Sequence, residues 1–293
     1  MHQIVNIIGP TFFVVVVGYL FGRFAKVNMG PLIDISMYVA VPAMAFHSMI
    51  TSKVVLSDAT KLWAACLIGM VGNLVLARIL FAALRQKHSG LYLPIVFSNY
   101  VNIPLPIIFL AFGSEGAALA ILMYIPQGII LNSLGVYVAS GEKDIKQGLL
   151  VMVKTPLMWA AIIGLALSLG HVPIPKVVEG SVNLLGQAGV PLMLLILGVS
   201  VGRFRFNQIP LTAVASVLRV GGGFAFAMLS VWIFALAGVN RAVVIFEATM
   251  PSAVFVSVLA AKYKNEHELV ASVVLATTLM AIPVIPALLY FLT

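Results

Sequence analysis

Two stretches place polar, backbone-disrupting residues inside otherwise apolar sequence. One reads Ser98-Asn99-Tyr100-Val101-Asn102-Ile103-Pro104-Leu105-Pro106 and the other Glu247-Ala248-Thr249-Met250-Pro251-Ser252. A proline inside a helix removes a backbone donor and crowds the carbonyl four residues earlier, so a helix through either stretch must be interrupted. The freed carbonyls need partners, which in a membrane come from polar side chains, neighbouring helices or a water-lined cavity; Asn99 and Asn102 are suitable. Pro251 follows Pro104 by 147 residues, so the two interruptions look matched. If the interrupted helices cross at their breaks, the amino-terminal ends of their second halves, beginning near Pro106 and Ser252, face one cavity. Each such end carries roughly +0.5 of charge, and low dielectric strengthens its pull on an anion. The candidate binding residues are therefore Asn99, Asn102, Pro104, Pro106, Thr249, Met250, Pro251 and Ser252. Gln127 and Asn132 are candidates to line the same cavity, although interhelical hydrogen bonding explains them equally well. A single break would read as a plain proline kink; two matched breaks flanked by Asn favour a ligand.

Charged residues at membrane depth narrow the chemistry further. Glu247 stands four residues before Pro251, and an intramembrane carboxylate suggests function by default. It is a candidate to carry a coupling proton, the alternative being a Glu paired with a polar neighbour or reaching water. Arg219 lies deep in its helix, where it either faces an anion pathway or pairs with a carboxylate. Asp34, Arg78 and Lys154 sit near predicted helix ends and read as snorkelling residues. The five histidines fall in separate helix ends or loops and the single cysteine, Cys66, has no second thiol, so no metal site is expected. A phosphate-cradling loop is absent as well, which leaves ion or solute gradients, with no bound cofactor, as the energy source.

The elements that must position these residues are membrane helices. Of 293 residues, 62% are hydrophobic and 9% charged, against roughly 25% charged in ordinary soluble domains. Ten spans fit: 3–22, 31–50, 62–84, 91–112, 117–139, 155–169, 178–202, 212–237, 242–261 and 269–292, nearly all of them reaching the roughly 20 residues that cross a bilayer. The first has no basic leader or small-x-small cleavage site and is expected to remain. Net charge is +8, but the basic residues are scattered among short loops, which speaks against a nucleic-acid partner. Arg23, Lys26, Arg85, Lys87, Lys143, Lys146, Lys154, Arg203, Arg205, Lys262 and Lys264 share one side, against Lys53, Lys61, Lys176 and Arg241 on the other. The positive-inside bias puts the first set in the cytoplasm and both termini outside.

Five spans per half is an odd number, so two related halves must insert upside down. Pro10 and Gly18 recur as Pro156 and Gly164; Val41, Pro42 and Met44 as Val190, Pro191 and Met193; Glu115 as Glu268. The expected architecture is an all-α membrane protein of ten transmembrane helices in two inverted five-helix repeats, 1–139 and 155–293, joined by a cytoplasmic connector, 140–154, with broken, crossing fourth and ninth spans. Interrupted helices at matching positions of inverted repeats point to the binding site of an alternating-access carrier.

At these residues the chain resembles the auxin efflux carrier family, the bacterial relatives of the plant PIN carriers. Asn99 and Leu105-Pro106 match that family's fourth helix in register, and the resemblance extends through Gly18-Tyr19, Gly22-Arg23, Pro42, Gly113-Ser114-Glu115-Gly116, Met250-Pro251-Ser252 and Glu268. Val101 and Pro104 depart from it, standing where glycines are usual, and Asn102 adds a polar group. The resemblance implies a fold of the bile-acid and arsenite transporter type, a scaffold and a transport group of helices, a homodimer in the cell membrane, and export of a small organic anion such as an auxin-like acid or a mono- or dicarboxylate. A sodium-coupled symporter, with Glu247 and Asn99 on the ion, is the closest alternative. A channel would need a continuous polar lining, and an enzyme a catalytic constellation for which Glu247 has no visible companion.

Overall fold

The computed structural model describes residues 2–25, 29–52, 56–85, 87–140, 155–201 and 207–292. Residues 141–154 of the connector and the topology signals Lys26, Lys53, Lys143, Lys146, Lys154, Arg203 and Arg205 lie outside the described residues. Among the described residues every regular element is a helix. In chain order these are α1 (His2–Phe24), α2 (Gly30–Thr51), α3 (Leu56–Ala83), α4 (Tyr92–Val96), α5 (Pro104–Ser140), α6 (Pro156–Leu169), α7 (Lys176–Gln187), α8 (Gly189–Val201), α9 (Ile209–Phe234), α10 (Gly238–Thr249), α11 (Val254–Tyr263) and α12 (His267–Leu292). Among the described residues six helical stretches are long and apolar enough to cross a membrane, and three shorter apolar helices accompany them.

Prolines and glycines set where these helices bend. In α2, Ser36–Ala40 winds as a π-helix just ahead of Pro42. In a regular α-helix the Pro42 ring would strike the carbonyl of Tyr38, and the wider turn relieves that clash. The span expected over 178–202 is present over Lys176–Val199, wound as two helices that meet at Ala188. Pro191 accounts for the division, because its ring would collide with the Gln187 carbonyl if one helix ran through. The turn expected around Gly113 to Gly116 shrinks to one residue: inside α5 only Gly113 leaves helical geometry, with φ 64° and ψ −158°. That positive φ, which a side chain disfavours, kinks the chain there while helix resumes on both sides.

The helices sort into two packing groups. In one, α1 packs on α8, and α2 on α6 and α7; in the other, α3, α4, α5, α9, α10, α11 and α12 pack around one another, and α5 also packs on α2, α6 and α8, joining the two. Backbone-close contact holds α1 to α8. A Cβ on Gly198 would overlap the Val15 carbonyl, and one on Gly22 would come within 2.7 Å of the Val199 side chain. Small residues serve this purpose where lipid supplies no hydrophobic drive between helices. Large apolar side chains such as Phe24, Trp232 and Phe291 point outward. The buried polar side chains collect in the second group, among them Asn73, Ser98, Asn99, Gln127, Arg219, Glu247, Ser252 and Thr277.

Candidate functional site

The span expected over 91–112 is broken between α4 and α5 and that expected over 242–261 between α10 and α11, and the two breaks touch. Ser98 and Ser252 form an isolated antiparallel bridge. Its backbone bonds run from the Asn99 N–H to the Pro251 carbonyl at 2.7 Å and from the Ala253 N–H to the Phe97 carbonyl at 2.9 Å. Two extended segments thus satisfy one another where neither can be helical, which meets the requirement that backbone polar groups inside a membrane find protein partners.

Each break also caps the helix that ends in the other. The Ser98 hydroxyl donates to the Glu247 carbonyl at 3.0 Å and lies 3.2 Å from the Met250 carbonyl, at the carboxyl end of α10. Reciprocally, the Ser252 hydroxyl donates to the Pro94 carbonyl in α4 at 2.7 Å. A side chain from the following helix steadies each segment. Gln127 receives the Ser98 N–H at 3.2 Å and returns a bond to the Ser98 carbonyl at 2.7 Å, while the Thr277 hydroxyl receives the Ser252 N–H at 3.1 Å. Ser98 and Thr277 were not among the expected site residues. A serine in each break, and a hydrogen-bonding residue at similar distance beyond it, is the pattern that marks them.

Arg219 completes the carboxyl ends. It is 2% exposed and lies in the π-helical part of α9, Leu218–Gly222. One terminal nitrogen donates to the carbonyls of Ile95 at 3.0 Å and Val96 at 3.1 Å, and the other to the carbonyl of Ala248. Its terminal donors therefore serve main-chain acceptors of α4 and α10, not a carboxylate, while its Nε N–H is buried without a partner. Among the described residues the one ion pair within 4 Å joins His88 to Glu266.

The amino-terminal ends of α5 and α11 have no such partners built in. At α5 the prolines at 104 and 106 carry no N–H, so within the first turn Leu105 alone supplies an N–H without an intrahelical partner. Beside it the Asn99 side-chain oxygen accepts the Asn102 N–H at 2.9 Å, which fixes the Asn99 rotamer. The Asn99 amide nitrogen and the Asn102 amide oxygen are then buried without partners. Buried polar groups are normally hydrogen-bonded, and these two are the amide donor and acceptor that the crossover leaves available. Both carboxylate oxygens of Glu247, which is fully buried, and both amide atoms of Asn73 on α3 are likewise unpartnered.

The remaining candidates distribute as follows. Pro104, Pro106, Met250 and Pro251 are buried at the breaks. Thr249 turns its hydroxyl back to the Ile245 carbonyl at 2.6 Å, and Asn132 its amide to the Gly128 carbonyl at 2.8 Å. Ser252 and Gln127 serve the crossover itself. Asn99, Asn102 and Glu247 keep free polar atoms, whereas Thr249, Asn132, Ser252 and Gln127 make bonds within the protein. Cys66 is a free, buried thiol in contact with Met70. A separate cavity of about 390 Å³ opens between Phe112, Val239, Arg241 and Phe291, where α10 begins and α12 ends.

Comparison with known proteins matches this arrangement to transporters. The chain is 26% identical to an uncharacterized transporter of Methanothermobacter thermautotrophicus over 289 aligned residues, 93% of each chain. It is 27% identical to an uncharacterized transporter of Methanocaldococcus jannaschii over 289 aligned residues, covering 92% of this chain and 93% of the relative. Residues 143–289, the half containing Arg219 and the α10–α11 break, match the family described as membrane transport protein. With broken helices crossing inside an apolar bundle, the chain belongs to this membrane transport protein family, that of the auxin efflux carriers, and is an integral membrane transporter.

Proposed function

We propose that the chain is a secondary active transporter that moves a small organic anion, an auxin-like acid or a mono- or dicarboxylate, by alternating access at the crossover. The observation that carries this reading is the orphaned Asn99 amide donor beside the free first turn of α5. A carboxylate there would receive a side-chain N–H together with the favourable end of a helix dipole. Asn102, Pro104, Pro106, Thr249, Met250, Pro251 and Ser252 shape the rest of the pocket, with Gln127 and Asn132 behind it. The ten spans form two inverted five-helix repeats, 1–139 and 155–293. The group of α1, α2, α6, α7 and α8 acts as scaffold, and the other group moves against it. Net flux is export across the cell membrane, both termini are outside, and the carrier is a homodimer.

Thermal unfolding of the purified protein against indole acids, malonate, malate and oxalate tests the assignment. Saturable stabilisation by a carboxylate, lost in Asn102→Ala together with uptake into proteoliposomes, is the expected result. A folded protein that no carboxylate stabilises, or a fully active Asn102→Ala, would contradict it.

Glu247 is the coupling residue in this reading. A carboxyl group with no partner on either oxygen is placed to exchange a proton whenever the pocket opens to water. Glu247→Gln keeps the shape and removes the exchangeable proton, so the pH dependence of transport should flatten. Unchanged pH dependence would take Glu247 out of the mechanism. The sodium-coupled alternative predicts instead that uptake requires Na⁺, and ion replacement by choline separates the two.

A further inference from the structure

Four helix ends meet at the crossover. The amino ends of α5 and α11 and the carboxyl end of α10 each carry roughly half an elementary charge, while the five-residue α4 adds the free carbonyls of its last turn. The two carboxyl ends together concentrate negative potential deep in the bundle, where screening is weak. In carriers built on discontinuous helices, such ends and the unwound carbonyls beside them are where coupling cations are coordinated. Here that place is filled by a side chain. The Arg219 guanidinium bonds Ile95 and Val96 at the end of α4 and Ala248 at the end of α10, so a single +1 bridges both ends. Close packing fits the group into place: a Cβ on Gly223 would overlap the Ala248 carbonyl and come within 2.7 Å of an Arg219 terminal nitrogen.

We infer that Arg219 is a built-in counter-cation, occupying between α4 and α10 the position of a coupling ion, so that the crossover assembles without a bound metal cation. The inference rests on the carrier reading only for its consequence, that cargo binding is independent of Na⁺; the charge requirement itself concerns the empty protein. It also explains why the pocket can favour anions. With the carboxyl ends neutralised by a tethered charge, the amino ends of α5 and α11 remain as the uncompensated positive ends.

The test is the unfolding temperature of purified full-length protein without organic anions, in sodium, choline or guanidinium chloride at one ionic strength. Wild type should melt at the same temperature in sodium and choline. Arg219→Lys should stay close to wild type, Arg219→Gln and Arg219→Ala should melt markedly lower, and low guanidinium should raise Arg219→Ala saturably while leaving wild type unmoved. Purification of the Lys variant alone would equally support a requirement for charge. Equal stability of the Lys and Gln variants, failure of the Lys variant alongside Gln, or a folded Arg219→Ala indifferent to guanidinium would each overturn the inference. A carboxylate that stabilises wild type while guanidinium fails to rescue defeats this inference alone. Guanidinium rescue without any carboxylate effect defeats the proposed cargo alone.

Discussion

Exchanging Asn99 for Asp should reduce organic-anion binding far more than exchanging it for Ala. In the Ala variant the anion loses one hydrogen bond to a charged group, worth about 1.5–3 kcal/mol, which is roughly a 10- to 150-fold weaker affinity. In the Asp variant a second negative charge faces the first. At about 4 Å and an effective dielectric near 20, that repulsion is on the order of 4 kcal/mol, or close to three orders of magnitude in affinity. The fold should survive. Oδ1 can still accept the Asn102 N–H that it accepts now at 2.9 Å, and a carboxylate at the amino end of α5 is favourable to the helix dipole. The new side chain would in effect occupy the site from within. Ligand-induced thermal shifts measured across wild type, Ala and Asp variants should fall in that order. Equal affinity in wild type and Asp would remove the anion from this site, and the Ala variant carries the comparison should the Asp variant not fold.

The breaks were legible because their cause is local. Pro104, Pro106 and Pro251 forbid a continuous helix whatever surrounds them, and the same rule applied to Pro191 would have divided the seventh expected span at Ala188. The free atoms on Asn99, Asn102 and Glu247 were likewise foreseeable, since a polar group at that depth needs a partner or a purpose. What could not be read was how carbonyls freed in one half would be satisfied from the other. Ser98 reaches 149 residues to Glu247, and Arg219 reaches 124 back to Ile95. No spacing rule connects residues at such distances. From sequence, Arg219 is expected to meet an anion or a carboxylate, the usual partners of guanidinium. The fold gave it carbonyls, because two helix ends converging in a dry interior make acceptors of comparable pull. Gln127 shows the same limit: both readings open to it, cavity lining and interhelical bonding, depend on which way it faces, and it bonds the Ser98 backbone on both sides.

Removing the two hydroxyls that cross-link the breaks should destabilise the bundle strongly and non-additively. Ser98→Ala withdraws a donor from the Glu247 and Met250 carbonyls, and Ser252→Ala withdraws one from Pro94. A buried acceptor left without its partner costs about 1–3 kcal/mol, and no water is at hand inside the bundle to replace it. The two serines face each other across one bridge, so either substitution loosens the contact on which the other depends. The double variant should therefore lose less than the sum of the singles, with a coupling of about 0.5–3 kcal/mol, as found for residues in direct contact. Ser257→Ala supplies the control, since its hydroxyl bonds only the Val254 carbonyl within the same helix, at 2.7 Å; its loss should be small and additive with either serine. Reversible unfolding of the four proteins of the cycle in detergent measures the coupling. If Ser98→Ala and Ser252→Ala add simply and each costs no more than the control, the crossing would be held by its backbone bonds and proline geometry alone. A measured coupling would instead make the serine pair the fulcrum about which the four helix ends are kept together while the surrounding groups move.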